Sequence, residues 1–452
     1  MKRSMLFAFA LPAIMLGFTH APEASVQGIY AKHTGLSLSA LAAAYLVSRL
    51  FDAITYPLIG HLSDLSYRRS GTRKPWMIVG TLAMVVGLWF LYRPPADVSI
   101  VYYTAFFTLT YLGWKLTEIP YIAWSFNLSG DYVQRARVQL WRSMAMVLGG
   151  MVFFVVPYAA KALGLTQTTE LNLDTLAITA IVIAVGVPLL NAYALATVPD
   201  GAAPLPSRQT LGVGDWRGMV RAVTQSRAML QLMAAYVPVT FLAGMAVGVN
   251  YLFIDRYLGL SEQLSMIMLV SAPCALLGLP FWGWLFLKFE RHRVLAVSLV
   301  LSALAYGCIG FAPVGGGGFW LVIVMNALAT FGLMGLPIAA PAMTGDVADD
   351  ERLRTGEDRG GLYSGMLAFT AKSLAGLAGA TGLMLLDVLG FDAKAAVQSG
   401  EGAFAIRLIG AWLPALGIAV GVGLIWNFPI DRARQEATLA ALKAREAAAD
   451  GA

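Results

Sequence analysis

Seven ionisable residues lie inside otherwise apolar runs of this chain: Glu23, Arg49, Asp52, Lys115, Glu118, Arg142 and Lys372. At bilayer depth each costs at least ~2.5–3.5 kcal/mol, so each needs a partner or a wet cavity. Arg49, Asp52 and Tyr56 follow an i, i+3, i+7 spacing and share one helix face. Lys115 and Glu118 stand at i, i+3, an ion pair compensated within its own helix, with Ile122 further along that face and Pro120 loosening the helix beyond. These side chains can pair with one another, bind a proton, or hold a polar or anionic group; arginine supplies a planar fork and lysine a point charge. His20 and Glu23, in the outer part of the first apolar run, read first as structural residues and second as coupling residues.

Enzyme chemistry has little to stand on. There is no HExxH and no Ser/His/Asp cluster, and the histidines are His20, His33, His61 and His292. Cys274 and Cys308 sit in apolar runs without CxxC or Cys/His spacing, so they read as small core residues; no metal site, disulfide framework or cofactor is indicated.

The elements that must position these charges are membrane spans. The chain has 452 residues, 58% hydrophobic and 13% charged, where soluble domains carry about 25% charged residues. Twelve segments are apolar enough to cross a bilayer, near 5–28, 38–62, 76–93, 99–126, 139–162, 174–197, 229–254, 263–287, 294–313, 317–343, 363–387 and 404–428. The first begins Met1-Lys2-Arg3 like a signal peptide, but it lacks a good cleavage site and is expected to be a retained span. With the N-terminus in the cytoplasm, the outer loops hold only Lys32, Arg93, Lys161, Arg256, Lys394 and Arg407 among the 32 basic residues. That asymmetry predicts both termini cytoplasmic and explains the basic balance without nucleic acid.

The polar stretch 198–228, with Pro204 and Pro206, separates six spans from six. Ser129-Gly130-Asp131 after span four and Thr344-Gly345-Asp346 after span ten form a weak internal repeat. The expectation is an all-α membrane protein with the major facilitator architecture: twelve transmembrane helices in two pseudo-symmetric halves, 1–197 and 229–428, with a cytoplasmic linker at 198–228 and a solvated cytoplasmic tail at 429–452. Glu118, Arg142 and Lys372 come from three spans and both halves, which is where a transporter would hold substrate. A small-molecule solute is therefore the expected partner, beside membrane lipid.

The motifs resemble the glycoside–pentoside–hexuronide:cation symporters, the melibiose-permease branch of the major facilitator superfamily. Gly35-Leu36-Ser37, Arg49-Leu50-Phe51-Asp52-Ala53-Ile54 and Pro57-Leu58-Ile59-Gly60 are similar to the second-span signature, and Ser63-Asp64 through Arg73-Lys74-Pro75-Trp76 to the loop after it. Ile119-Pro120-Tyr121, Asp131-Tyr132 and Arg135-Ala136-Arg137 through Arg142 resemble the span-four to span-five signature. Asp346, Asp350-Glu351, Arg354-Thr355-Gly356 and Gly361-Leu362-Tyr363, with Lys372 beyond, resemble the span-ten to span-eleven signature. The resemblance implies alternating access in a bacterial inner membrane. Asp64, Arg68 and Arg73, with Asp131, Arg135 and Arg137, are expected as gating charges.

The departures bear on specificity. A second family carboxylate falls on Tyr56, a cation-ligating Asn on Thr55 and a cation-ligating Thr on Lys115. The Lys–Asp pair that serves sugar binding falls on Met15 and Leu16, and a sugar-stacking Trp on Ile122. Arg49, Asp52, Tyr56, Lys115 and Glu118 then form a charge network where relatives bind sodium, so a coupling proton, or no coupling ion, is expected instead. Glu118, Arg142 and Lys372 are the expected substrate contacts. The expected cargo is a glycoside or uronide, with a lysolipid-like solute as the alternative.

Overall fold

A computed structural model describes residues 2–128, 132–201, 224–357, 359–395 and 397–450. These residues form sixteen α-helices and no strand. In chain order they are α1 Arg3–His20, α2 Glu23–His33, α3 Leu38–Ser70, α4 Lys74–Tyr92, α5 Ile100–Asn127, α6 Tyr132–Ala162, α7 Leu173–Thr197 and α8 Arg227–Leu252. There follow α9 Leu264–Lys288, α10 Arg291–Ile309, α11 Phe319–Leu333, α12 Leu336–Thr355, α13 Gly360–Val388, α14 Gly400–Arg407, α15 Leu413–Ile425 and α16 Arg432–Asp450.

Eleven helical segments are long and apolar enough to cross a membrane. The twelfth crossing is α5, whose 28 residues include Lys115, Glu118, four tyrosines and four threonines. At 1.5 Å per residue it reaches about 42 Å, beyond the ~30 Å hydrocarbon core. Its polarity marks the span that carries much of the site. Apolar side chains such as Leu287 and Trp320 remain exposed around the bundle, as lipid solvent requires.

Helix ends follow local chemistry. Ser37 caps α3 by accepting from Ala40 N at 3.2 Å, and Gly71, at φ 72°, ends it in a left-handed turn. The 33-residue α3 runs eight residues past the apolar segment 38–62, because its charged end can continue as helix in water. Two crossings are broken rather than continuous. The first splits at Ala21-Pro22, between α1 and α2, and the tenth at Met334-Gly335, between α11 and α12. Two others contain a π-turn, at Phe253–Tyr257 and Leu408–Trp412.

By contact the chain forms two compact units. The first joins Met1–Ser207 with Gly248–Leu269 and Leu383–Ala403; the second joins Arg208–Val247 with Val270–Gly382 and Phe404–Ala452. Two stretches that follow the linker in sequence thus pack with the N-terminal helices. In the first unit, Phe9 stacks on Tyr121 at 4.7 Å, and the Tyr121 hydroxyl donates to Phe9 O at 2.6 Å. There α1 and α6 touch through glycines: a Cβ at Gly149 would stand 1.8 Å from Ile14 O, and one at Gly17 would stand 1.9 Å from Met146 O. Small residues let backbones approach where lipid offers no hydrophobic drive between helices. The second unit is centred on Met229, Trp282, Leu299, Val347, Tyr363 and Ile418.

Two expectations change. Cys308 is exposed on α10 rather than in a core, because an apolar run does not tell a helix's packed face from its lipid face. The C-terminal helix α16 is not a freely solvated tail. Arg434 makes two 2.8 Å contacts to Asp350, Gln435 donates to Asp349 at 3.0 Å, and Thr438 and Leu442 are buried.

Gly149→Ala is expected to force α1 and α6 apart, costing about 1–3 kcal/mol as overpacking does. Gly345→Ala, with open space around its Cβ, should be neutral or slightly stabilising. Thermal unfolding of the two purified variants compares them directly; equal stability would remove the close-approach argument.

Candidate functional site

The break at Ala21-Pro22 frees Glu23 to begin a new helix within the first crossing. Pro22 has no N–H to donate, and its own carbonyl accepts from Ser25 N at 2.8 Å and Val26 N at 3.0 Å. Glu23 is buried and heads a continuous chain of charge. His20 Nδ1 lies 2.9 Å from Glu23 Oε2, and the Tyr45 hydroxyl donates to Glu23 Oε1 at 3.2 Å. Arg49 forms an ion pair with Glu23, donates to the Tyr45 hydroxyl at 2.9 Å, and reaches Asp52 Oδ2 at 3.4 Å. Lys115 Nζ closes the chain on Asp52 Oδ1 at 2.7 Å. Asp52 and Lys115 are both buried.

Aromatic rings hold this chain in place. The Arg49 guanidinium lies over Tyr45 at 4.8 Å and Tyr111 at 5.0 Å. Tyr111, Phe107 and Tyr103 follow one another along α5 at 4.7 and 5.4 Å between rings. His20 stacks on Trp114 at 5.2 Å, and Trp114 Nε1 donates to Leu16 O at 3.3 Å. The Lys115 ammonium stands 5.8 Å from the Tyr56 ring.

The expected residues are therefore distributed as follows. Arg49, Asp52, Tyr56 and Lys115 come together, with Lys115 2.7 Å from the Asp52 carboxylate on α3. Glu118 is half-buried and close enough for its charge to act on His20. Arg142 Nε donates to Gln139 Oε1 at 2.9 Å, and Gln139 donates to Ser125 Oγ at 2.7 Å, tying α6 to α5. Lys372 is exposed on α13 in the second unit. Leu16 is buried in the first unit's core, whereas Met15 and Ile122 are half-buried.

Of the charges expected at the gate, Arg73 donates to Asp64 Oδ1 at 2.6 Å and lies over Tyr67 at 4.0 Å, which pins the turn between α3 and α4. Arg68 and Arg137 are exposed. Asp131 and the side chain of Arg135 lie outside the described residues.

Glu23 and His20, the weaker of the sequence signals, stand at the head of this chain of charge, where Pro followed by an acid is a helix-start signal. A second group escaped sequence reasoning. At the far end of the first unit, Lys32 pairs with Glu170 and lies 2.9 Å from Asp255 Oδ2, whose side chain is 1% exposed. Nearby, Ser39 N donates to Asp387 Oδ2 at 3.1 Å, Tyr251 donates to Leu171 O at 2.9 Å, and Thr169 donates to Glu262 O at 3.0 Å. No sequence spacing connects residues so far apart along the chain.

Removing one partner of a buried pair leaves an uncompensated charge, typically at a cost of about 3–5 kcal/mol. Lys115→Met should therefore destabilise the purified protein strongly, and Lys115→Met with Asp52→Asn should recover much of the loss. Thermal unfolding of the two variants checks this; a double variant no better than the single one would contradict the pairing.

The model of the MFS/sugar transport protein family matches residues 7–432. The chain is 23% identical to the sodium-dependent lysophosphatidylcholine symporter 1-B of Danio rerio over 429 residues, covering 86% of this chain and 80% of the relative. It is 24% identical to the uncharacterized symporter sll1374 of Synechocystis sp. over an alignment of 509 positions, covering 91% of each. Among solved structures, a bacterial homolog of the human lysosomal transporter Spinster, inward-facing and unoccupied, matches with a TM-score of 0.64 at 15% identity over 97% of this chain and 98% of that one. The twelve crossings, the paired charges within them and a family match over nearly the whole length have one explanation: this chain is a multi-pass membrane protein of the MFS/sugar transport protein family, with the major facilitator fold.

Proposed function

We propose that the protein is a proton-coupled, sodium-independent transporter of a sugar-like solute, a glycoside or uronide, in a bacterial inner membrane. The halves 1–197 and 229–428 alternate access around a central site, with the linker 198–228, the tail 429–452 and both termini cytoplasmic. Glu118, Arg142 and Lys372 contact the solute, their cations suited to a carboxylate or to sugar hydroxyls. Asp64, Arg68, Arg73, Asp131, Arg135 and Arg137 act at the cytoplasmic gate.

The observation that carries this is the run Glu23–Arg49–Asp52–Lys115, in which two carboxylates meet two cations. A sodium ion brought to Asp52 would meet the Lys115 ammonium 2.7 Å from that carboxylate, an unfavourable approach in a low-dielectric site. A proton is the smaller change. The cluster of Lys32, Glu170 and Asp255, with Ser39 on Asp387, supports alternating access, since it is a set of breakable polar ties at one end of the bundle.

A second reading is a lysolipid-like solute. The 23% identity to a lysophosphatidylcholine symporter over most of both chains favours it, as do apolar Met15 and Ile122 where melibiose permease has sugar contacts.

Uptake of a glucuronide, a neutral glycoside and lysophosphatidylcholine into proteoliposomes, under imposed proton or sodium gradients at fixed potential, tests both readings. The proton gradient should drive uptake of the glucuronide, and sodium should have no effect. Lys115→Thr with Tyr56→Asp should acquire sodium stimulation. Sodium-driven uptake by the wild type would refute the coupling, and uptake of lysophosphatidylcholine alone would select the second reading.

The polar ties give a separate prediction. In a Cys274→Ser, Cys308→Ser background, Ser39→Cys with Asp387→Cys should stop uptake on oxidation and regain it on reduction. Full uptake with the cross-link formed would show that these ends need not separate.

A further inference from the structure

We infer that His20 and Glu23 form the coupling proton's binding site, and that loading it releases Arg49 to receive an anionic group of the solute. This rests on the proton coupling proposed above and assigns it to two residues that the family resemblance does not single out.

The geometry divides the work between the two groups. The His20 side chain is 44% exposed and that of Glu23 9%, with 2.9 Å between Nδ1 and Oε2. A neutral imidazole that donates its Nδ1 hydrogen to the carboxylate keeps its lone pair on Nε2. A proton arriving at Nε2 makes imidazolium, whose charge the Glu23 carboxylate then pairs through Oε2. The product is an imidazolium–carboxylate pair. One proton enters, none is lost, and the cluster gains one positive charge.

The charges around the dyad make that gain consequential. On α2 the acid is Glu23 itself; α3 brings Arg49, and α5 brings Glu118 and the Trp114 ring. α6 and α7 also pack against α1. Arg142 is the ionisable group in the interior of α6, while Arg135, Arg137, Lys161 and Asp174 lie toward the ends of those two helices. Before proton uptake, Glu23, Asp52 and Glu118 balance Arg49, Lys115 and Arg142. Afterwards one cation is in excess. That cation is Arg49: it now shares Glu23 with the imidazolium, its other carboxylate contact is the 3.4 Å one to Asp52, and Asp52 is held at 2.7 Å by Lys115. Tyr45 and Tyr111 keep the guanidinium from collapsing elsewhere. An acidic solute then restores neutrality, so proton and anion bind better together than alone.

The stack of His20 on Trp114 gives a readout that needs no solute, because imidazolium quenches an indole it touches. In lipid nanodiscs, the difference in fluorescence between wild type and Trp114→Phe should fall in a step as pH is lowered, and His20→Gln should abolish the step. No step in the wild type, or the same step in His20→Gln, would overturn the site. In proteoliposomes, with radiolabelled glucuronate and lysophosphatidylcholine as probes, Glu23→Gln should keep solute exchange. It should lower proton-driven accumulation about tenfold, within the usual range for coupling between two sites. Glu23→Asp should restore part of it, which separates coupling from misfolding. Undiminished proton-driven accumulation in Glu23→Gln would overturn the inference while leaving proton coupling intact. A fluorescence step without any proton-driven uptake in the wild type would refute proton coupling and leave the proton site standing.

Discussion

Arg49 cannot stand alone in a membrane, and much of the first unit is arranged around that constraint. It is held by Glu23 on one side and Asp52 on the other, with Lys115 compensating the second acid and two tyrosine rings closing over the guanidinium. Desolvation makes each member expensive by itself, while together they are tolerable. The chain is also adjustable. In the proposed transport cycle a change of charge at either end redistributes the pairing along it.

Backbone irregularity places these charges. The interruption at Pro22 turns the first crossing into two short helices and puts an acid at the start of the second, where helix geometry favours negative charge. Broken crossings at binding sites are a recurring transporter device, because a broken helix offers both polar backbone and a point of movement. The π-turn at Phe253–Tyr257 in the seventh crossing is a comparable irregularity, and it carries Asp255, the partner of Lys32. Both interruptions coincide with buried carboxylates that have a cationic partner.

Much of the fold was legible because composition and span length are blunt signals that survive every local ambiguity. Arg49 and Asp52 were legible as a face because their spacing is local. What the sequence hid was partnership across helices. Lys115 was legible as a cation among Glu118 and Asp52, but which contact it makes across to α3, and at what distance, no one-dimensional rule could give. Glu23 was legible as a charge in an apolar run, but its place at a helix start was not, because the run was taken as one continuous span although Ala21-Pro22-Glu23 contained the break signal. Lys32, Glu170 and Asp255 are separated by 138 and 85 residues along the chain, so no motif could unite them. Cys308 was misplaced because apolar sequence serves core and lipid face equally well.

The central claim is that a built-in cation occupies the position where related symporters hold sodium. Direct binding of radioactive sodium to the purified protein in nanodiscs at neutral pH tests it without reference to any solute. The expected result is no saturable sodium binding to the wild type, and saturable binding once Lys115 is replaced by Thr together with Tyr56 by Asp. Saturable sodium binding to the wild type, abolished by Asp52→Asn, would contradict the account.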